Sequence, residues 1–264
     1  MATVQLRPLS FGEILDASFS VYRRIFGTLV AIAIVCQGIP SVLEIYLNMA
    51  GGVIYNPVLW LITLILGAVA ALFSFGASLR AISEAYLGGQ PTVGGALRYA
   101  LRKAWRLFVS GVAAYLLILL ASLLFLIPGV IVAAGYTVVP QVAVLEELRA
   151  STDALGRSWR LTKGFKWRAF GLIIVSFVIV YAPIFAIWII GGAIVGFGGA
   201  LDETGAGGGS AMVIISVVAS LAWLALYPIL NCVFTLFYYD LRVRKEGFDL
   251  EHLSQLLGEG RIGS

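Results

Sequence analysis

The sequence is poor in charged residues, which make up 12% of its 264 positions, whereas 60% of its residues are hydrophobic. Water-soluble proteins carry about 25% charged residues. A chain of this size has too many apolar side chains to hide them in one water-soluble core, and its mean hydropathy is +0.97. The scarcity of charge therefore excludes an ordinary soluble domain and predicts that lipid surrounds most of the chain.

Histidine and cysteine are also scarce, with one His and two Cys. His252 has no second His, Cys pair or E-x-x-H motif with which to complete a metal site, so we interpret it as a solvated side chain. Cys36 and Cys232 lie inside apolar stretches and are interpreted as small hydrophobic residues. The glycine-rich stretch 205–209 lacks the strand and the lysine that phosphate-binding loops need. The sequence thus predicts no catalytic residue, no metal and no cofactor.

Long apolar stretches dominate the chain instead. A helix that crosses the hydrocarbon core of a bilayer needs about 20 apolar residues. Windows of that size predict six spans, at 25–47, 57–79, 106–127, 129–146, 169–197 and 211–239. The predicted fold is therefore an all-α integral membrane protein with about six transmembrane helices. A single membrane domain is expected over 1–250, with a short cytoplasmic tail helix over 248–264.

The basic residues lie at the ends of the predicted spans. None of the 18 Lys and Arg residues falls in the connections 48–56, 128–129 or 198–210. By the positive-inside rule this distribution predicts that both termini lie in the cytoplasm, and an even number of spans agrees. A membrane explains this placement better than a nucleic acid does, so no nucleic-acid partner is expected.

Amphipathic segments precede the spans at three places, which predicts three repeats at about 9–87, 91–147 and 151–240. Each repeat would consist of an interfacial amphipathic helix followed by a helical hairpin. The first of these helices is expected to start at Ser10, because Glu13 follows at the spacing of a capping box.

Glycine and proline predict three further local features. Pro128-Gly129 is the only interruption in about forty apolar residues and is expected to be the turn of a tight hairpin. Gly164 is expected to break the third amphipathic segment. The Gly192-x-x-x-Gly196 spacing is expected to allow close packing between helices.

The basic connectors are the strongest functional signal. Lys and Arg beside an anionic leaflet contribute about 1 kcal/mol each to membrane attraction, and Arg98, Arg102 and Arg106 recur on one helix face. We therefore expect a non-catalytic protein that binds anionic lipid headgroups, or that scaffolds another membrane protein or a second copy of itself. The residues expected to make these contacts are Arg98, Arg102, Lys103, Arg106, Arg157, Arg160, Lys163, Lys166 and Arg168. The alternative is that these charges only set the topology.

A second hypothesis is a transporter or channel for a small solute or a lipid, with a path between the repeats near Gln37, Pro183 and Asn231. Ionisable residues inside a membrane mark such paths, and Glu44, near an outer end, is the one candidate. Hydrogen-bonded packing of helices is the other interpretation of Gln37 and Asn231.

Five segments spread over nearly the whole chain carry a resemblance to a known family. They are RPLSFGEILDASFSVYRRIFG, LIPGV, VVPQVAVLE, ALGRSWRLTKG and FYYDLRVRKEGFDL. They resemble the glycerophosphoryl diester phosphodiesterase membrane domain family, a group of bacterial multi-span modules. The resemblance implies a multi-pass protein of the bacterial inner membrane.

In some members of that family the membrane region is fused to a soluble phosphodiesterase, a TIM-type barrel that uses paired histidines and a divalent ion. This sequence has one histidine and no soluble stretch near the ~250 residues that such a barrel needs. The resemblance therefore implies the membrane module without the catalytic domain, and no enzyme activity is expected. A phosphodiesterase embedded in the membrane is a third hypothesis, for which no polar constellation is found.

Overall fold

The computed structural model describes residues 7–49, 56–201 and 206–247, and these fold into nine α-helices. In chain order they are α1 (Phe11–Arg24), α2 (Phe26–Met49), α3 (Pro57–Tyr86), α4 (Val93–Leu124), α5 (Leu126–Tyr136), α6 (Val139–Leu145), α7 (Asp153–Thr162), α8 (Lys166–Leu201) and α9 (Ala206–Glu246). Six helical stretches are long and apolar enough to cross a membrane, with α5 and α6 together forming the fourth. The prediction of an all-α, multi-pass membrane protein is confirmed.

The outer surface of the bundle carries the side chains expected of a lipid-facing surface. Large apolar side chains are exposed on most of the spans, including Ile39 and Leu123 at 70% and 74%. Trp167 and Trp188 are both exposed on α8, and the helical rise places them about 32 Å apart. That separation is close to the thickness of the hydrocarbon core, and tryptophan is enriched where that core meets water.

The core is centred on the second half of α9. Cys232, Val233, Leu236, Phe237 and Tyr238 are fully buried there, in the main cluster of buried apolar residues. Helices α1, α2, α3 and α8 pack against α9, and the last turns of α9 place the charged side chains described below.

Helix α1 begins where the sequence predicts. The Ser10 side chain accepts a hydrogen bond from the Glu13 amide, and the Glu13 carboxylate accepts one from the Ser10 amide at 2.6 Å. Arg7 also donates to Glu13, and this hydrogen bond lowers the pKa of the Glu13 carboxyl to about 2. The predicted capping box is thus confirmed.

Helix α1 packs lengthwise against α9. The Leu9 amide donates to Asp240 and the Tyr22 hydroxyl donates to the Ala225 carbonyl, both at 2.7 Å. Asp240 and Ala225 lie about 22 Å apart along α9 at the rise of an α-helix. The apolar face of α1, with Ile14 fully buried, therefore packs on a helix of the bundle.

The second repeat departs from the predicted order of elements. Its amphipathic segment is continuous with its span, so that α4 runs from Val93 to Leu124. No glycine or proline occurs over 96–110, and nothing interrupts the helix there. In the third repeat Gly164, at φ +90°, separates α7 from α8 as predicted, because only glycine adopts this conformation without strain.

The turn of the predicted hairpin lies at Phe125, and the prediction that Pro128-Gly129 forms it is wrong. Phe125 is extended, at φ −161° and ψ 152°, whereas Pro128 lies in the first turn of α5, where its missing N–H costs nothing. Gly129 is buried, and a Cβ there would lie 2.9 Å from Ser122 Cα. Its small size thus serves the close approach of α4 and α5.

The close helix contact that the sequence predicts at Gly192 and Gly196 of α8 occurs at a neighbouring glycine instead. Among the residues that the structure describes, a Cβ at Gly192 or Gly196 would meet nothing within 4 Å, whereas one at Gly191 would lie 2.6 Å from Ile215 of α9. The small residue that lets α8 and α9 approach is therefore Gly191. The predicted tail helix over 248–264 lies outside the described residues.

Candidate functional site

Most of the charged side chains meet at one end of the bundle, which we name the charged end. It is defined by Lys103, Arg106, Glu146, Glu147, Arg157, Arg168, Asp240 and Glu246, which form three clusters of ion pairs. The helix ends that meet there are the start of α4, the end of α6, the two ends of the α7–α8 connection and the end of α9.

The first cluster surrounds Asp240, whose side chain is completely buried. Its carboxylate accepts hydrogen bonds from the Leu9 amide at 2.7 Å and from Arg244 Nε at 3.0 Å, and Arg168 lies 3.3 Å away. Both arginines also donate to the Leu9 carbonyl. Asp240 therefore fastens the segment before α1 to the ends of α8 and α9.

The second cluster is built on Arg157, which lies between two carboxylates. Arg157 Nε donates to Glu146 at 2.8 Å, and the other guanidinium nitrogens donate to Glu246. The hydrogen bond to Glu246 raises the pKa of Arg157. Glu146 also accepts a hydrogen bond from the buried Tyr238 hydroxyl at 2.9 Å, so this cluster joins α7 to α9.

The third cluster joins α4 to the end of α6. Lys103 donates to Glu147 at 2.5 Å, and Arg106 donates to the second oxygen of the same carboxylate at 3.3 Å. The hydrogen bond from Lys103 is the main reason that the pKa of Glu147 is lowered. Glu147 itself remains 82% exposed.

The nine basic residues named from the sequence thus fall into two groups. Lys103, Arg106, Arg157 and Arg168 pair with carboxylates of the protein itself. Among the residues that the structure describes, no carboxylate pairs with the other five, which are Arg98, Arg102, Arg160, Lys163 and Lys166.

The five residues of the second group lie on α4, at the end of α7 and at the start of α8. Arg98 and Arg102 are exposed on α4. Arg160 and Lys163 are exposed at the end of α7, and the Lys166 ammonium lies 3.3 Å from the centre of the Trp159 ring. Arg160 and Lys163 also fall on one face of α7, because residues three apart on a helix are neighbours.

The position of α7 is determined by the break between α5 and α6. α5 ends at Tyr136, so the Gly135 carbonyl is one of the last four carbonyls of that helix, which have no partner within the helix. The Ser158 and Thr162 hydroxyls donate to this carbonyl at 2.9 and 3.0 Å. The Trp159 ring lies so close to Gly135 that a Cβ there would collide with it.

The end of α7 is held from the other side by α9. The Lys245 ammonium donates to the carbonyls of Arg160 and Lys163, the latter at 2.7 Å. Cations stabilise helix C-termini because the last carbonyls carry a partial negative charge. The backbone of Arg160 and Lys163 is therefore fixed, while their side chains remain exposed.

Beside α7 a groove of 620 Å³ runs between α4, α5 and α7. Its walls are apolar, with Leu117, Ala121 and Leu124 of α4 on one side and Val132 and Tyr136 of α5 on the other. The α4 wall extends about 10 Å by helical rise. Trp159 and Arg160 line the remaining side, so that the groove has apolar walls and a single guanidinium.

The two residues proposed for a transport path lie in different surroundings. Gln37 lines a cleft of 390 Å³ between α2, α8 and α9, together with Ile184, the neighbour of Pro183. Asn231 is 1% exposed within the core, and its amide nitrogen has no hydrogen-bond partner among the described residues. It does not line that cleft, and the buried side chains of α9 surround it.

Sequence reasoning found the basic residues but missed the acids that neutralise four of them. The sequence did contain a local signal for two of the ion pairs. Asp240 and Arg244 are four residues apart, as are Arg242 and Glu246, and residues at that spacing share a helix face. The pairs that cross between helices, such as Lys103 with Glu147, carry no local signal. The groove is likewise invisible in the sequence, because its walls come from three separate helices.

Within the described ranges, no three His, Cys, Asp or Glu side chains lie close enough together to hold a metal ion. Neither cysteine there forms a disulfide, and Cys232 is buried. His252 lies outside these ranges. Comparisons with protein-family models, with curated proteins and with solved structures found no match for this chain.

Proposed function

We propose that this chain is a non-catalytic multi-pass protein of the bacterial inner membrane that binds anionic lipid headgroups at its charged end, with that end in the cytoplasm. The observation that carries the proposal is the apolar groove with Arg160 at its side. An acyl chain needs an apolar wall, and a phosphate needs a nearby cation that the protein has not already neutralised. The groove supplies both at one place.

The orientation rests on the distribution of charge. All Lys and Arg residues lie in the termini or in the connections at the charged end, and none in the connections at the opposite end. The cytoplasmic leaflet carries the anionic lipids that attract such clusters. The family resemblance of the five sequence segments supports a bacterial inner membrane in the same way.

Burial and pairing divide the basic residues by role. Lys103, Arg106, Arg157 and Arg168 already hold carboxylates, so their charge serves to join helices. Arg160 and Lys163 have fixed backbones and exposed side chains that pair with no carboxylate of the described residues, and they contact a headgroup in this proposal. Arginine suits this task because its planar guanidinium can donate two parallel hydrogen bonds to a phosphate.

The experiment compares two double variants with the same change in charge. Arg160→Gln with Lys163→Gln removes the cations beside the groove, and Arg98→Gln with Arg102→Gln removes two exposed cations that do not line it. Each protein is extracted from membranes in a mild detergent, and the retained phosphatidylglycerol is counted by native mass spectrometry. We expect the groove variant to lose several-fold more lipid than the matched control.

Equal lipid retention by the wild type and the groove variant would contradict the proposal. Equal loss in both variants would contradict the groove as the site and would favour a diffuse attraction between the charged end and the leaflet. Scaffolding of a second membrane protein predicts that lipid retention is unchanged while a cross-linked neighbour is lost.

A transport function is the second candidate, and the cleft that contains Gln37 is the observation that favours it. Fully buried side chains such as Phe237 and Tyr238 separate that cleft from the charged end. A flux of solute would therefore require these helices to move apart. Solute uptake by proteoliposomes, with and without Gln37→Leu, tests this candidate.

A further inference from the structure

The cleft at the end of the bundle away from the charged end has a composition unlike that of the lipid groove. Polar side chains line much of it, namely Gln37, Ser41 and Glu44 of α2 and Ser216 and Ser220 of α9. Trp188 of α8 and Trp223 of α9 also line it. Polar and aromatic side chains thus meet in one cleft between three apolar spans.

Among the described residues that line the cleft, Glu44 is the one with a charged side chain. Among the residues that the structure describes, its carboxylate has no ion-pair or hydrogen-bond partner. The sequence offers no cation nearby, since no Lys or Arg occurs over 25–79 or 169–241, the stretches that contain the lining residues. The cleft thus carries an uncompensated negative charge.

Neighbouring rings hold the Trp223 side chain in place. The Trp223 ring packs edge to face on Tyr181, with centroids 5.5 Å apart, and lies 5.1 Å from the Tyr227 ring. This contact limits the orientations open to Trp223. Tryptophan is the aromatic side chain whose face attracts cations most strongly, and organic ammonium groups are recognised by aromatic faces together with a carboxylate.

The side chains that line the cleft indicate which class of cation it would bind. A divalent metal ion prefers several oxygen ligands with more than one carboxylate, and one carboxylate beside two indole rings is a poor match. The volume of 390 Å³ accommodates a compact organic group. The serine hydroxyls and the Gln37 amide can accept hydrogen bonds from a primary ammonium or bond to a hydroxyl on the ligand.

We infer that this cleft binds a compact organic ammonium group, with Glu44 as its counter-charge and Trp188 and Trp223 as its aromatic walls. The group comes either from a free amine or from the headgroup of an aminophospholipid in the facing leaflet. This inference does not depend on the proposed anionic-lipid site, which involves other helices and the opposite charge.

The first experiment tests the free amine. Choline is titrated into the protein in dodecyl maltoside by calorimetry, beside dimethylbutanol, its uncharged carbon isostere. We expect choline to bind and the isostere to bind at least about tenfold more weakly, as the loss of a charge-assisted contact implies. Glu44→Gln should lower the affinity for choline by a similar factor, and Trp188→Leu should also lower it.

Matched variants separate the cleft from general effects. Asp16→Asn removes an exposed carboxylate from α1, and Trp105→Leu removes an exposed indole from α4. Neither should change the affinity for choline. All variants are compared by circular dichroism and gel filtration, because Glu44 and Trp188 are exposed and their replacement is expected to preserve the fold.

The second experiment tests the lipid source. The wild type and Glu44→Gln are assembled in nanodiscs of phosphatidylglycerol with phosphatidylethanolamine, and the phosphatidylethanolamine retained after extraction is measured. Retention that depends on Glu44, without choline binding, assigns the ammonium group to the lipid headgroup. Absence of both effects, or choline binding that survives Glu44→Gln, overturns the inference.

Discussion

At the scale of single residues, Asp240 is the side chain on which the charged end depends most. Its buried carboxylate satisfies the Leu9 amide, Arg168 and Arg244 at the same time. Buried ion pairs add little to stability compared with apolar packing, but removing one partner leaves the other charge without compensation. The cluster is therefore sensitive to loss of the one acid it contains.

We predict that Asp240→Asn destabilises the protein by about 3–5 kcal/mol, because the Arg168 and Arg244 guanidinium groups lose the one carboxylate that pairs with them among the described residues. Thermal unfolding in detergent, followed by circular dichroism, measures the change. The exposed Asp16→Asn provides a control with the same chemical change and is expected to leave the melting temperature nearly unchanged. A variant of Asp240 as stable as this control would contradict the role assigned to the cluster.

At the scale of elements, the α4–α5 hairpin shows how a glycine can be needed for space instead of for a turn. Gly129 lies inside α5 with an ordinary negative φ, so its conformation does not require glycine. The requirement comes from Ser122 of α4, which occupies the volume that a Cβ would need. Helices in membranes use small residues in this way because van der Waals packing holds them together.

We predict that Gly129→Ala destabilises the hairpin by about 1–3 kcal/mol, the usual cost of overpacking a well-packed contact. Gly192→Ala makes the same chemical change at a helical position with no described neighbour within 4 Å. It should be neutral or slightly stabilising, because alanine is the better helix former. Melting temperatures of the two variants in the same detergent compare them directly, and equal values would rule out the proposed contact.

At the scale of the whole molecule, charge and apolar surface are separated along the bundle. The ion-pair clusters lie at the charged end, and the exposed tryptophans of α8 stand about one hydrocarbon thickness apart. If the charged end faces the cytoplasm, Asp16 of α1 and Phe125 of the hairpin turn lie on opposite sides of the membrane.

We predict that a membrane-impermeant maleimide labels Phe125→Cys in intact spheroplasts and Asp16→Cys only after lysis. Cys36 and Cys232 are first replaced by alanine to remove the natural thiols. Both target positions are exposed, so access depends on the side of the membrane. The reverse labelling pattern would invert the proposed orientation, and labelling of both sites from one side would contradict the number of spans between them.

The sequence was sufficient to predict the class of fold and most of its elements. The six spans, the Ser10 capping box and the break at Gly164 all follow from local composition and spacing, which depend on residues only a few positions apart. The hairpin turn was misplaced by three residues because proline and glycine have two uses in helices. Proline is tolerated in a first turn, and glycine also serves close packing.

Only the tertiary structure shows which basic residues pair with carboxylates of the protein itself. Lys103, Arg157 and Arg168 look the same in the sequence as Arg160 and Lys163, since all lie in basic connectors. Their acidic partners come from other helices, and contacts between residues tens to hundreds of positions apart leave no local pattern. For the same reason the groove beside Arg160 and the cleft around Glu44 emerge only when three helices are placed side by side.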